Sequence, residues 1–105
     1  MIGEVCVLQV GGTVDMLTGH ILESAIESAT RKAPASLIVD LTDVEFLASK
    51  GMSALMGAHN ELTPDIRLVV VADGPATSRP LKLIGIAEFI DLYSTLEDAL
   101  AAVTS

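Results

Sequence analysis

The chain has 105 residues, 50% of them apolar and only 3% aromatic, with no tryptophan; that suits one aliphatic-cored domain and excludes disorder as the main state. Six basic residues against fourteen acidic ones give a formal charge of −8 and an isoelectric point near 4.4, a field that repels nucleic-acid phosphates and anionic lipid headgroups alike. Direct nucleic-acid and membrane partners are therefore not expected, and base-stacking platforms have almost no side chains to use.

Residues 4–10 are rich in Val and Leu and stop at Gly11-Gly12, a pattern that predicts a strand followed by a turn. Cys6, the only cysteine, lies in its apolar run; it excludes an internal disulfide or a tetrathiolate metal site and predicts a buried structural thiol. This strand starts almost at Met1, so an additional N-terminal edge strand is expected to be absent or very short. Glu4 stands where a signal peptide would carry basic residues, and no apolar stretch approaches the roughly 18 residues of a membrane span. A cytoplasmic protein is expected.

Over residues 17–33 the apolar positions Leu17, Ile21, Leu22, Ala25, Ile26 and Ala29 recur at helical spacing. Glu23, Glu27, Arg31 and Lys32 fall off that stripe, which predicts an amphipathic helix with Thr18 as N-cap and Pro34 as its stop. Residues 36–41 and 66–72 contain Leu37-Ile38-Val39 and Leu68-Val69-Val70-Val71, runs without polar alternation that suit buried parallel strands. Between them, residues 49–62 space Met52, Leu55, Met56, His59 and Leu62 as a helix, so the unit is a right-handed crossover. Asp73-Gly74-Pro75 is a turn, residues 78–84 a short helix with Pro80 early and Gly85 just after, and residues 89–93 a last short strand. Thr95 and Asp98 form a capping-box pattern ahead of a helix whose Leu96, Ala99, Leu100 and Val103 share a face. The alternation predicts an α/β fold, one domain over residues 1–105. Its sheet is expected to be mostly parallel or mixed, with four strands or five, and about four helices cover it.

Signs of catalysis are few. No GxSxG elbow occurs, and the two histidines, His20 and His59, fall on predicted helices without a second ligand at metal spacing. His20 is placed toward solvent and His59 at the rim of an apolar stripe. Gly11-Gly12 lacks the later glycines and lysine of a phosphate-binding loop. Neither a metal nor a cofactor is expected, and the chain reads as a non-enzyme. The acidic pair Glu97-Asp98 suits a helix first turn, whereas Asp15, Asp40 and Asp43 fall at strand ends, where the loops of a parallel sheet gather. Asp15 and Asp40 suit loop-holding hydrogen bonds to backbone amides.

The segment from Asp40 to Met52 concentrates the interest. A strand exits into a loop anchored by Val44, Phe46 and Leu47, and Ser49 opens a helix as an N-cap. A phosphate there would meet free backbone amides and the positive end of the helix dipole while adding about −1.5 to −2 charges to the surface. That combination describes a docking switch.

Four motifs in order resemble the STAS domain family (sulfate transporter and anti-sigma factor antagonist), in particular its small stand-alone bacterial anti-sigma factor antagonists. They are Gly12-Thr13-Val14-Asp15; Asp40-Leu41-Thr42 followed by the loop Ala48-Ser49-Lys50-Gly51-Met52; Leu83-Ile84-Gly85-Ile86; and Leu96-Glu97-Asp98-Ala99-Leu100. The resemblance implies a partner switch: the unphosphorylated protein binds an anti-sigma factor that is also a serine kinase, which frees a sigma factor, and a serine phosphatase reverses the mark. Ser49 matches the phosphoacceptor. Ala48 replaces the family's acidic residue before that serine, and Lys50 follows it, placed to neutralise part of a phosphate's charge.

The expected partner surface comprises Asp15, Met16, Asp40, Val44, Phe46, Ser49, Lys50, Gly51, Met52 and Met56. Phe46, Met52 and Met56 also suit internal packing. The protomer is expected to be a monomer or weak dimer. Two other readings compete: a constitutive STAS scaffold indifferent to Ser49, and a receiver-like phosphoacceptor using Asp40. The receiver reading lacks its usual acidic pair, because Gly11-Gly12 stands in that place.

Overall fold

The aliphatic runs form the sheet and the periodic segments cover it. The computed structural model describes residues 4–61 and 66–104. In chain order the elements are β1 (Val5–Val14), α1 (Met16–Thr30), β2 (Ser36–Leu47), α2 (Ser49–Glu61), β3 (Arg67–Val71), α3 (Ser78–Leu83), a 3-10 turn (Ile86–Glu88), β4 (Asp91–Tyr93) and α4 (Leu96–Thr104). The strands lie in the order β1-β2-β3-β4, every neighbouring pair parallel.

Alternation along β2 and β3 sends side chains to two apolar layers. Leu37, Val39, Leu41, Leu68 and Val70 pack with Leu22, Ile26 and Ala29 of α1, Ala54, Leu55 and Ala58 of α2 and Leu81 of α3. On the opposite face Ile38, Val69 and Val71 meet Ala99, with Leu96, Leu100 and Val103 of α4 completing that layer. Cover on both faces is why these strands carry apolar residues without polar alternation. Cys6 is half-buried at the edge of the larger layer, more open than its apolar neighbours suggested.

Several boundaries differ from the expectations. Gly11-Gly12 does not end β1. The chain continues through two register shifts, between Gln9 and Gly11 and between Gly12 and Thr13, and pairs on to Val14↔Leu47. Gly12, at φ +75, takes a left-handed conformation open to glycine. β2 likewise runs past its expected end near Leu41, because β1 supplies hydrogen-bond partners as far as Leu47, whereas β3 pairs only as far as Asp40. The loop anchored by Val44, Phe46 and Leu47 is thus a strand.

Helix α1 starts earlier and stops sooner than expected; it is capped by Asp15 rather than Thr18, and Ala33 reverses the chain at φ +51 ahead of buried Pro34. The last strand begins at Asp91, since Gly85 leads into the 3-10 turn first. Thr95 caps α4 as expected, its Oγ1 accepting from the Asp98 amide at 3.1 Å. Met1 and Leu62 lie outside the described residues. Among the described residues no helix is long and apolar enough to cross a membrane.

Candidate functional site

The ends of β1 and β2 bring the start of α1 beside the start of α2. Ala48 N–H donates to Val14 C=O at 2.8 Å, while Ala48 C=O accepts from Gly51 N–H at 3.0 Å and Met52 N–H at 3.2 Å. Ala48 therefore occupies the cap position and Ser49 is the first residue inside α2, one place further in than expected. Ser49 is exposed. Gly51 and Met52 N–H are already bonded to Ala48 C=O, so a phosphate on Ser49 would face the remaining amides at the helix start, those of Ser49 and Lys50, and the dipole's positive end.

Gly51 is buried and seats the helix. A Cβ there would come within 2.6 Å of Leu47 Cδ1 and 2.7 Å of Val14 Cγ1, so this glycine allows α2 to approach the strand ends and has no surface to offer. Lys50 turns the other way, onto α1. Its stem lies over Gly19, where a Cβ would stand 2.4 Å from Lys50 Cγ, and its Nζ is 2.6 Å from Glu23 Oε1. The hydrogen bond from Lys50 holds the Glu23 carboxyl below its ordinary range. The cation next to Ser49 is thus already engaged, contrary to the expectation that it would neutralise a phosphate.

Asp15 and Asp40 both hold backbone. Asp15 Oδ1 accepts from Leu17 N–H and Thr18 N–H, each at 3.0 Å, while Asp15 N–H donates to Thr18 Oγ1 at 2.7 Å. Thr18 is therefore the return partner of a capping box, and its amide is the main cause of a lowered Asp15 pKa, with its hydroxyl next. Asp40 is buried; its Oδ1 accepts from Thr42 N–H at 2.9 Å and from the Thr42 hydroxyl. Val44 is buried as well. Of the ten expected surface residues, Asp40, Val44 and Gly51 shape the site from beneath.

Large apolar side chains reach solvent here beside the exposed Asp15 and Ser49. Met16 is 74% exposed and Phe46 55%, so Phe46 is a surface residue and not an internal anchor. Leu17 and Ile21, assigned to the buried stripe of the first helix by their spacing, are 74% and 63% exposed. Phe46 and Met16 share one end of the molecule, because Thr13 pairs with Phe46 and Asp15 then opens α1, whereas Leu17 and Ile21 lie on the face of α1 turned away from Gly19 and Lys50. The excess of apolar positions on α1, more than one face can bury, was the available signal. Met52 and Met56 are half-buried against the larger core layer. His20 is exposed, and His59 lies against Phe89 with ring centroids 6.1 Å apart. Among the described residues no three His, Cys, Asp or Glu side chains are grouped to hold a metal ion. An exposed hydroxyl amid exposed apolar residues is suited to a protein contact that a phosphate would disrupt.

The STAS domain family pattern matches residues 1–99. The chain is 39% identical over 99 residues to the anti-sigma-F factor antagonist RsfB of Mycobacterium tuberculosis, a match covering 94% of this chain and 81% of that protein. It superposes on the crystal structure of an anti-sigma factor antagonist from Mycobacterium paratuberculosis with a TM-score of 0.93 and 42% identity, covering 96% of this chain and 86% of that one. The Bacillus cell fate determinant SpoIIAA in its phosphorylated form shares the fold, with a TM-score of 0.70 at 20% identity over 95% of this chain and 91% of its own.

Proposed function

The chain belongs to the STAS domain family, and we propose that it is an anti-sigma factor antagonist, a non-enzymatic cytoplasmic module switched at Ser49. Unphosphorylated, it binds an anti-sigma factor of the sigma-F class and so releases the sigma factor. Phosphorylation of Ser49 by that partner, acting as a serine kinase, ends binding, and a phosphatase restores it. The observation that carries this reading is the exposed Ser49 at the first position of α2, at the end of the sheet where β1 and β2 bring exposed Phe46 and Met16, in a chain 39% identical to a named antagonist.

The domain tolerates the mark because a phosphate at the start of α2 meets the helix dipole's positive end and the amides not already bonded to Ala48 C=O, which can donate to it. The interface does not, because the dianion must be desolvated against apolar surface and Lys50 is held by Glu23. Calorimetric titration of the purified anti-sigma-F factor of the same organism tests this. Wild type and Ser49→Ala should bind alike, and Ser49→Glu should bind about 30-fold to 1000-fold more weakly, on the order of 2 to 4 kcal/mol. Equal affinity for all three proteins would show that Ser49 is no switch. Incubation with that factor and ATP should place an acid-stable phosphate on Ser49, read by peptide mass spectrometry.

A further inference from the structure

The outward face of α1 takes no part in the site described above. Leu17 and Ile21, 74% and 63% exposed, lie there with the exposed Ser24 and Ser28. Spacings of four, three and four residues put these side chains on one line along the helix. That is the spacing of a coiled-coil seam, with Leu17 and Ser24 at d positions and Ile21 and Ser28 at a positions. Packing within the domain does not call for it: the sheet is covered by Leu22, Ile26 and Ala29, and Gly19 receives Lys50 of α2. Two large aliphatic side chains left adjacent in water, with polar neighbours around them, mark a contact surface.

The seam is complementary to itself. A second copy running antiparallel, related by a two-fold axis at the middle of the seam, sets Leu17 against Ser28 and Ile21 against Ser24. A large side chain meets a small one at every pair, so the two helices can approach closely without leaving a void. A parallel copy would instead set leucine against leucine and serine against serine.

Charge selects the same arrangement. Arg31 is the C-cap of α1 and Lys32 follows it, both exposed, and they are two of only six basic residues in a chain of net charge −8. Antiparallel packing carries them to the start of the second copy's α1, beside the exposed Asp15. The cap made by Asp15 uses its Oδ1, which leaves Oδ2 to accept from the arriving cations. The seam itself is uncharged, and among its flanking positions Thr18, His20, Ala25, Glu27 and Lys32 only one is acidic. Two chains of net charge −8 therefore meet here with little local repulsion, and their helix dipoles oppose each other favourably.

We propose that the outward face of α1 is a homodimer interface, in which two copies pack their α1 helices antiparallel along Leu17, Ile21, Ser24 and Ser28, Asp15 of each facing Arg31 and Lys32 of the other. The helix has 15 residues, about 22 Å of contact. An interface of that length is smaller than a standard one, so the dimer is weak, with a Kd on the order of 10 to 100 µM. Because α2 lies against Gly19 on the other side of α1, the dimer leaves α2 uncovered.

Sedimentation equilibrium of the purified chain at concentrations bracketing that Kd, in about 150 mM sodium chloride to screen the net charge, tests the proposal. The variants are Ile21→Glu, Leu17→Ser, the exchange Leu17→Ser with Ser28→Leu, and Leu83→Ser, a control at an exposed residue of α3. All these positions are exposed, so thermal melts should show every variant folded. Wild type should dimerise, Ile21→Glu and Leu17→Ser should each weaken the dimer at least about tenfold, and Leu83→Ser should leave it unchanged. The exchange variant should recover dimerisation to within about threefold of wild type, because it restores a large residue opposite a small one. A wild type that stays monomeric overturns the proposal, as does a dimer indifferent to Ile21→Glu and Leu17→Ser. A dimer weakened by Leu17→Ser and not restored by the exchange overturns the antiparallel pairing.

Discussion

Two glycines on one helix illustrate how little a residue's identity says about its role. A Cβ at Gly51 would strike Leu47 and Val14, whereas one at Gly57 would enter open space. Gly51→Ala should therefore cost about 1 to 2 kcal/mol, overpacking outweighing the gain in helix propensity. Gly57→Ala should stabilise by up to about 1 kcal/mol. Urea denaturation of the two variants reads both signs in one experiment. Ser49 was legible because a helix-opening serine after a strand is a local pattern. Lys50 was not, because its engagement with Glu23 depends on the close approach of α1 and α2 over Gly19. With Lys50 so held, Glu23→Gln should free the cation to pair with a phosphate on Ser49 and lower that phosphate's second pKa. Phosphorus NMR titration of the phosphorylated protein measures the shift, which Lys50→Gln should abolish.

At the scale of the element, the start of α1 shows local signals assembled in the wrong order. Asp15 and Thr18 were both recognised, yet the carboxylate is the cap and the threonine its reciprocal partner. Because the Thr18 and Leu17 hydrogen bonds lower the Asp15 pKa, the charged carboxylate stabilises the folded state above the ordinary carboxylate pKa of about 4. That contribution falls away as pH drops through the lowered folded-state value. Asp15→Asn keeps an N-cap but cannot titrate. Its melting temperature, compared with wild type from pH 7 to pH 2.5, should lose less in acid. The β1–β2 extension is a different case: Thr42-Asp43 reads locally as a loop, and only pairing with β1 holds it extended.

For the molecule as a whole, charge dominates the response to conditions. The fold measures 37 × 25 × 22 Å, so at about 10 mM ionic strength, where the Debye length is about 30 Å, the net charge of −8 repels itself across most of the protein. The ion pairs Lys50–Glu23 and Arg67–Asp91 are partly exposed and weakened by the same screening. The repulsion is the larger effect, so raising sodium chloride to about 150 mM should raise the melting temperature, measured by calorimetry. Parallel order across all strands also means that every neighbouring strand pair is non-local and that β1 is an edge strand.

The sequence by itself determined what depends on neighbours along the chain. The alternation of β2, α2 and β3, the Thr95 cap of α4 and the motifs of the STAS family all follow from local period and residue chemistry, whereas the cap of α2 went to Ala48 and not to the expected Ser49. Tertiary structure alone decided how far β1 and β2 run, which side of α1 is buried, and that Phe46, Leu17 and Ile21 face outward while Asp40, Val44 and Gly51 lie beneath the site. The reason is physical: burial and strand pairing are set by partners tens of residues away. A pattern of apolar spacing names a helix without saying which of its faces another element will cover.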